Sequence, residues 1–270
     1  MSLVPVPFFS STLFRRQTCF VYLPPGYESS DQHYPTIYLL HGLYGSESDW
    51  TQKGGAEATL DRLLAAGELR ECIVVMPNDG GYGHGTFYLD WYDGTGNFEQ
   101  YITDDLVPFI DSHYRTLPAP ESRAIGGLSM GGFGAFYLAL RHPELFGAAS
   151  SLSGAIGSPS LLSFKDYSRS EFPRMLGPVT GPYARERDLA RLVEQRAKEG
   201  ALPQLHFTCG TEDYLYPLSC GFKVHLEGLG VGHEYTEYPG AHTWDYWSEH
   251  LPETLRFMEK AFAAKEAESS

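Results

Sequence analysis

Residues 124–144 read "AIGGLSMGGFGAFYLALRHPE" and place Ser129 inside a run of glycines. The residues before the serine are typical of a short β-strand. Apolar residues after it recur three and four positions apart, and this spacing predicts an α-helix that Pro143 ends. The members of that apolar series are Phe133, Phe136, Tyr137 and Leu140. The stretch therefore predicts a strand, a sharp turn at the serine, and a helix.

Residues 127–131, Gly-Leu-Ser-Met-Gly, match the pattern G-x-S-x-G, which indicates a nucleophilic serine only when a strand precedes it and a helix follows it. Small residues are needed around such a turn because strand and helix crowd together there, and glycines occupy positions 127, 131 and 132. The turn also aims the backbone N–H of Met130 at the point where the serine reacts. Taken alone, the pattern is weak evidence and also allows a turn used only for packing. A dinucleotide loop is disfavoured, since the turn has no G-x-G-x-x-G and no Walker lysine.

A serine hydroxyl needs a base, and in this arrangement the chain order is serine, acid, histidine. His242 follows the strand-like run "EYTEYPGA" and precedes a helical segment, so we predict that it is the base. Three other late histidines lie at positions that suit the role less well, within helices or at the start of a strand. They are His225, His233 and His250.

The acid is expected after the preceding strand, where "LHFTCGTEDYLYP" supplies two neighbouring carboxylates. We choose Asp213 because it is closer to the proline-limited turn, and Glu212 remains the alternative. The three requirements of serine, acid and histidine are met in the expected order, which favours catalysis over a purely structural turn at Ser129.

The second oxyanion donor is expected from a loop after an early strand, and "YLLHGLYGSESDW" fits that position. Gly42 lets the backbone turn, and the N–H of Leu43 is the predicted donor. His41 is expected to brace this loop rather than to take part in the chemistry.

Residues 83–96, "GHGTFYLDWYDGTG", are rich in aromatic residues and glycine and are expected either to wall a substrate pocket or to pack as a surface loop. Substrate contacts are predicted in this segment and in the loops that carry Leu43 and His242. The residues are Tyr44, Phe87, Asp90, Trp91 and Trp244. Neither the H-E-x-x-H pattern nor a Cys/His zinc spacing is present, so no metal and no cofactor are predicted.

Strand-like and helix-like runs alternate along the chain. Strands are predicted at 18–24, 36–42, 72–77, 123–127, 146–154, 205–210 and 233–240, and helices at 55–66, 99–113, 186–199, 218–229 and 250–264 besides the one after Ser129. Such alternation predicts an α/β fold with a mostly parallel central sheet and helices on both faces. We expect one domain over residues 1–270, with residues 155–185 as a small lid insertion because they show little periodicity.

The composition limits the possible partners and location. A formal net charge of −14 argues against nucleic-acid and anionic-membrane partners. No stretch is long enough to cross a bilayer. The apolar run in "MSLVPVPFFSSTLFRR" is short, interrupted by prolines and not preceded by basic residues, so no signal peptide is predicted and a cytoplasmic location is expected. The four cysteines are too few and too scattered for a disulfide framework. The oligomeric state is not predicted.

The chain resembles the esterase family of the α/β-hydrolase fold, which includes acetyl, feruloyl and tributyrin-type esterases, S-formylglutathione hydrolases and mycolyltransferases. The resemblance runs from about Phe20 to Phe257 and rests on "YLPPGY", "YLLHGLYGSESDW", "FYLDW", "GGLSMGGFGA", "CGTEDYLY" and "GAHTWDYW". It implies the α/β-hydrolase fold and assigns the nucleophile, acid and base to Ser129, Asp213 and His242. It also implies an oxyanion hole made by the amides of Leu43 and Met130.

The function that follows is a cofactor-free serine carboxylesterase that hydrolyses short-chain acyl esters, such as acetyl or feruloyl esters of carbohydrates, through an acyl-enzyme. A thioesterase of the S-formylglutathione hydrolase type is an alternative, although the cysteine typical of that group after the early loop is replaced here by Tyr44 and Gly45. An acyltransferase is a further alternative. A non-catalytic binding protein on the same fold is the least favoured.

Overall fold

The computed structural model describes residues 2–81, 83, 85–157 and 171–269 and is built around one eight-stranded sheet. The strands are β1 (Ser2–Ser10), β2 (Arg15–Leu23), β3 (Thr36–Leu40), β4 (Ile73–Pro77), β5 (Arg123–Leu128), β6 (Ala148–Leu152), β7 (Gln204–Gly210) and β8 (Glu234–Tyr238). Strands β3 to β6 are buried along their whole lengths, as expected for central strands covered on both faces.

The strand order across the sheet is β1-β2-β4-β3-β5-β6-β7-β8. The pairs β1–β2 and β2–β4 are antiparallel, and the other five neighbouring pairs are parallel. The predicted α/β class with a mostly parallel sheet is therefore confirmed. Because β3, β5, β7 and β8 run in the same direction, the loops that follow them meet at one edge of the sheet.

Ten α-helical segments lie among the described residues. They are α1 (Asp49–Gln52), α2 (Ala56–Ala65), α3 (Phe98–Gln100), α4 (Val107–His113), α5 (Met130–Arg141), α6 (Phe172–Leu176), α7 (Pro182–Arg185), α8 (Leu189–Glu199), α9 (Tyr216–Gly228) and α10 (Trp244–Ser269). One hydrophobic cluster joins α4, α5, α8 and α9 to one face of the sheet, and a second joins α2 and α10 to the other.

Two helical predictions differ from the structure by more than a few residues or in their regularity. The helix predicted at 99–113 is interrupted by a π-helical turn, Tyr101–Leu106, immediately before α4. Pro108 near the start of α4 has no N–H to donate, so regular hydrogen bonding cannot continue through this point. The last helix begins at Trp244 rather than at 250 and keeps Pro252 in its interior.

Strand β1 was not predicted. It pairs with β2 over its whole length and lies at the edge of the sheet. Pro5 and Pro7 lie within it, and prolines argue against a strand unless that strand is at an edge. The sequence alone does not indicate that this segment is an edge, which explains the omission.

The predicted lid at 155–185 is described only in part. Residues 158–170 lie outside the described residues, so the lid remains a prediction there. The described remainder contains α6 and α7, and α6 packs on the aromatic-rich residues 85–96, referred to below as the aromatic loop: the N–H of Tyr92 donates to the carbonyl of Met175 at 3.0 Å. Across the described ranges, no helix combines the length and the apolar character needed to span a membrane.

Candidate active site

Ser129 stands alone between the end of β5 and the start of α5, with backbone angles φ 53° and ψ −116°. A serine rarely adopts a positive φ, and such strain persists only where the surrounding structure enforces it. Close packing leaves no room for a side chain at the glycines predicted to allow this turn. A Cβ on Gly127 would lie 2.4 Å from the carbonyl oxygen of Gly131. A Cβ on Gly131 would lie 2.4 Å from the carbonyl oxygen of Leu40. The small-residue prediction is confirmed at both positions.

His242 lies between Ser129 and Asp213. Its Nε2 atom is 2.9 Å from the serine Oγ, and its Nδ1 atom is 2.8 Å from Oδ2 of Asp213. A carboxylate only accepts hydrogen bonds, so Nδ1 carries the proton donated to Asp213 and Nε2 is left to accept from the serine hydroxyl. The structure thus brings together three residues that are far apart in the sequence, in the geometry of a nucleophile, a base and an orienting acid.

The two candidate acids have different surroundings. The Asp213 side chain is fully buried and also accepts a hydrogen bond from the N–H of Leu215 at 2.8 Å. The Glu212 side chain instead accepts a hydrogen bond from the N–H of Gly240, at the start of the loop that carries His242. Glu212 therefore braces the histidine loop, and only Asp213 contacts the imidazole.

The loop after β3 packs directly against the serine. A Cβ placed on Gly42 would lie 3.5 Å from the Cβ of Ser129, and Leu43 lines the cavity above the serine. His41 is 1% exposed; its Nδ1 bonds the carbonyl of Gly42 at 2.8 Å and its Nε2 accepts from the N–H of Asp79 at 3.0 Å. His41 braces the loop, as predicted.

Met130 is the first residue of α5, whose first backbone hydrogen bond runs from the N–H of Phe133 to the carbonyl of Ser129 at 3.1 Å. The N–H groups of a first helical turn have no acceptor within the helix, and the N-terminal end favours negative charge. The amide of Met130 is therefore suited to bind an anion beside Ser129.

A cavity of about 460 Å³ opens above Ser129 and His242 and is referred to below as the Ser129 cavity. Two of the predicted substrate contacts, Tyr44 and Trp244, line it. The lining residues that the sequence analysis missed include Lys53, Tyr214 and Trp247. The spacing of Trp244 and Trp247 could have indicated the latter, because residues three apart share one face of a helix.

Aromatic rings hold the histidine in place. The Tyr214 ring lies 4.7 Å from the His242 ring, and the Trp247 ring meets it edge-on at 4.8 Å. Trp244 packs edge-on against both Trp50 and Trp247. Three of the four tryptophans of the chain therefore form one cluster beside His242, which limits the ways in which the imidazole can move.

Phe87, Asp90 and Trp91 are not brought into the Ser129 cavity among the described residues. Phe87 packs edge-on against Phe133 and Phe172. The Asp90 carboxylate accepts hydrogen bonds from two backbone N–H groups at the start of α3, and burial raises its pKa. These hydrogen bonds at a helix start engage the Asp90 carboxylate, and Asp90 does not line the Ser129 cavity, so its contact with substrate stays a prediction.

Trp91 lines a different cavity of about 300 Å³. In the part of the chain that the structure describes, no three His, Cys, Asp or Glu side chains converge as a metal site would require.

A family model described as "Putative esterase" matches residues 10–258, nearly the whole chain. The chain belongs to this esterase family. The esterase is 26% identical over 274 residues to an acetyl esterase of Caldicellulosiruptor saccharolyticus, and the alignment covers 96% of the chain and 99% of that protein. The match and the fold together show a carboxylic ester hydrolase.

Two further similar proteins are named as feruloyl or ferulic acid esterases. The esterase is 37% identical over 163 residues to an endo-1,4-beta-xylanase/feruloyl esterase of Xylanibacter ruminicola, covering 57% of the chain and 22% of that longer protein. The solved structure of a ferulic acid esterase superposes with a TM-score of 0.83 at 28% identity, covering 96% of the chain and 98% of that structure. The predicted α/β-hydrolase fold is thereby confirmed.

Proposed function

We propose that this esterase is a serine carboxylesterase in which Ser129 attacks the ester carbonyl. The observation that carries the proposal is the 2.9 Å contact between Ser129 Oγ and His242 Nε2, with Asp213 on the other side of the ring. His242 takes the serine proton, and Asp213 keeps the imidazole in the required tautomer and stabilises its cationic form.

The tetrahedral intermediate carries a negative oxygen. We assign its stabilisation to the amides of Leu43 and Met130, which flank Ser129. His242 then protonates the leaving alcohol, and the acyl group stays on Ser129 until a water activated by the same histidine releases it. Loss of one oxyanion donor typically lowers the rate by about 10²–10³-fold.

The proposed substrates are acetyl or feruloyl esters of carbohydrates. The relatives' names support these acyl groups. The aromatic side chains of Tyr44, Tyr214 and Trp244 around the Ser129 cavity support a sugar on the alcohol side, since the C–H faces of a sugar ring pack well on aromatic faces. Lys53, on the same wall, offers N–H donors to hydroxyl groups and forms a 2.9 Å salt bridge with Asp49.

The test combines active-site labelling with a substrate panel. A fluorophosphonate probe should label the wild-type protein and not Ser129→Ala, and that variant should lose about 10⁴–10⁶-fold in ester hydrolysis. Labelling that persists in Ser129→Ala would refute the assignment of the nucleophile.

The panel contains acetylated xylan, methyl ferulate, butyryl and octanoyl esters, and S-formylglutathione. Fastest turnover of acetylated xylan or methyl ferulate is expected, whereas fastest turnover of S-formylglutathione would favour a thioesterase. Product analysis in the presence of competing alcohols distinguishes hydrolysis from acyl transfer, because a transferase yields a new ester in place of the free acid.

A further inference from the structure

The residues at the end of β6 and just after it hold the backbone of Ser129 on both sides. The N–H of Ser129 donates to the carbonyl of Leu152 at 2.9 Å, and the carbonyl of Ser129 accepts from the N–H of Ala155 at 3.2 Å. Residues 152–155 are referred to below as the 152–155 segment. One short segment therefore engages both hydrogen-bonding groups of the Ser129 backbone.

The spacing of these two hydrogen bonds shows one extra residue in the 152–155 segment. In a regular parallel pair of strands, the N–H and C=O of one residue bond to residues two positions apart on the neighbouring strand, so the N–H of Gly154 would reach Ser129. The N–H of Ala155 does so instead. The segment therefore contains a bulge, a feature that bends the end of a strand and is common beside active sites.

Ser153 lies inside this bulge and has a strained backbone. Its φ is 47°, in the left-handed region, and its side chain is fully buried. Its N–H still donates to the carbonyl of Thr208 in β7 at 2.8 Å, so the sheet holds the residue on the side away from Ser129. Serine rarely adopts a left-handed conformation, and such strain persists only where the surrounding structure enforces it.

Helix α5 begins directly against the 152–155 segment. A Cβ on Gly132, in the first turn of α5, would lie 2.9 Å from Cα of Gly154. A Cβ on Gly154 would lie 2.0 Å from Oγ of Ser151. Because the two backbones pack without room for a side chain between them, a change in the path of the segment shifts the start of α5 and Ser129 with it.

We propose that Ser153 is a positioning residue for the nucleophile: its left-handed backbone keeps the 152–155 segment in the path that holds Ser129 Oγ at 2.9 Å from His242 Nε2. This inference rests on the proposed function. Ser153 is not among the described residues that line the Ser129 cavity, so it acts through the backbone of Ser129 and does not touch the substrate. Its hydroxyl group has no part in this role.

A displaced Ser129 backbone should slow the attack of Oγ without weakening the binding of a ligand in the cavity. Misplacement of a reacting group by about 1 Å can lower a rate by about 10²-fold. Labelling by a fluorophosphonate probe separates the two effects. The maximal labelling rate at saturating probe measures the attack by Ser129, and the probe concentration that gives half this rate measures binding.

Two substitutions at Ser153 separate its backbone conformation from its hydroxyl group. Ser153→Gly removes the hydroxyl but adopts a positive φ without strain, so its maximal labelling rate should stay within about twofold of the wild-type rate. Ser153→Thr keeps the hydroxyl, but its β-branched side chain disfavours a positive φ, so its maximal rate should fall by about tenfold or more. The half-saturating probe concentration should be unchanged in both.

Phe14→Thr is the matched control. It places the same β-branched residue at another left-handed position, with φ 53°, in the turn between β1 and β2, where the side chain is 85% exposed. This variant should be labelled at the wild-type rate. Denaturant unfolding of every variant gives the folded fraction to which each labelling rate is referred.

Ala155→Pro tests the same segment through its second hydrogen bond and decides the question if Ser153→Thr does not fold. A proline has no N–H to donate to the carbonyl of Ser129, so the maximal labelling rate should again fall by about tenfold or more. Ala155→Ser keeps the N–H and should restore the rate.

The outcomes separate the positioning role from the proposed function. If Ser129→Ala is still labelled, the proposed function is wrong. If labelling depends on Ser129 but folded Ser153→Thr reacts at the wild-type rate, or Ser153→Gly is slowed as much as Ser153→Thr, the positioning role is wrong and the proposed function stands. A wild-type rate in Ala155→Pro, or a change in the half-saturating probe concentration alone, also overturns the positioning role.

Discussion

Asp213 and Glu212 are neighbours in the chain, but their carboxylates bind different partners. Asp213 contacts the imidazole of His242 and the N–H of Leu215, whereas Glu212 contacts the N–H of Gly240. The backbone adds a second link, because the N–H of Glu212 donates to the carbonyl of Gly240 at 3.0 Å. One carboxylate therefore orients the histidine ring, and the other holds the loop that carries it.

Replacing Asp213 with asparagine should lower kcat/KM by about 10⁴-fold, because an amide does not hold the imidazole in the tautomer that accepts the serine proton. The matched control is Glu212→Gln, which keeps an oxygen acceptor for the N–H of Gly240 and should retain most of the activity. Steady-state hydrolysis of an acetyl ester by the two variants measures the difference. Equal losses would contradict the distinct roles.

For single residues, the sequence was informative where the expected chain order of serine, acid and histidine limits the candidates. The order of Ser129, Asp213 and His242, and the bracing role of His41, were predictable from loops that follow strands. Tyr214 was not predicted, because its contact with the His242 ring depends on how the loops after β7 and β8 fold against each other. Trp247 was missed although it lies one helical turn after Trp244. The hydrogen bonds of Asp90 were not predicted either, since the sequence does not indicate that its carboxylate accepts from N–H groups at a helix start.

Strands β6 and β7 and helix α10 share a buried serine–histidine contact that resembles the one between Ser129 and His242. Ser150 Oγ lies 2.7 Å from His206 Nδ1 and donates to Thr254 Oγ1 at 3.1 Å, and all three residues are fully buried. The His206 Nε2 atom is 3.8 Å from the Glu253 carboxylate. No ester reaches this serine, so the same residue types here join a helix to the sheet.

Ser150→Ala should lower the free energy of unfolding by about 1–3 kcal/mol, because it leaves a buried histidine nitrogen without its hydrogen-bond partner. The next residue, Ser151, is the matched control: it is also fully buried, and no hydrogen-bond partner for its Oγ occurs among the described residues. Ser151→Ala should cost less. Denaturant unfolding measures both, and kcat/KM should be unchanged in Ser150→Ala.

The helices and strands were predicted well where a regular spacing of apolar residues extends over most of the element. The helix after Ser129 and the buried central strands agree with the structure because apolar spacing determines them. The aromatic loop was harder to predict: Phe87 and Tyr88 both have φ near 55°, a conformation that no local pattern indicates for bulky residues. Its geometry comes from tertiary packing, including the Phe87 contact with Phe172.

The carboxylate of Glu99 connects distant parts of the molecule. It lies at the start of the helical segment before α4, is 3% exposed, and contacts Tyr137, Arg141 and His142 at the end of α5. Burial opposes its ionisation, but hydrogen bonds from His142 and Tyr137 and the charge of Arg141 outweigh burial and lower the pKa of Glu99 to about 2. Burial likewise opposes the charged form of His142, yet Glu99 raises its pKa above the usual 6.5.

These shifts give the stability of the whole molecule a defined pH dependence. A lowered carboxyl pKa stabilises the fold above the carboxyl's usual pKa of 4.5, and this contribution is lost as pH falls towards 2. A raised histidine pKa stabilises the fold below 6.5, and this contribution is lost as pH rises through the raised value. The cluster therefore contributes most between these limits, near about pH 5 to 6.

Glu99→Gln should lower the free energy of unfolding by about 3 kcal/mol at about pH 5 and by less at a pH above the raised pKa of His142, where the imidazole is neutral. The control is Glu144→Gln, which removes a 65% exposed carboxylate 3.1 Å from the other nitrogen of His142 and should cost little. Urea unfolding across pH measures both. A pH-independent loss in Glu99→Gln would contradict the role of His142.

Taken as a whole, the molecule brings the loops after β3, β5, β7 and β8 to one edge of the sheet, and the strand-and-helix alternation was enough to predict this. The chain order does not indicate distances, such as the 2.9 Å between Ser129 and His242.

Pro5 and Pro7 in β1 have a consequence for the esterase at high concentration. In an antiparallel edge strand, alternate residues turn their N–H and C=O groups away from the sheet, and a proline fits only where that N–H would face outward. Two adjacent outward positions of β1 therefore offer no donor to an approaching strand. A second chain cannot extend the sheet along this edge without losing hydrogen bonds, so the edge is protected against the strand-to-strand association that leads to fibrils.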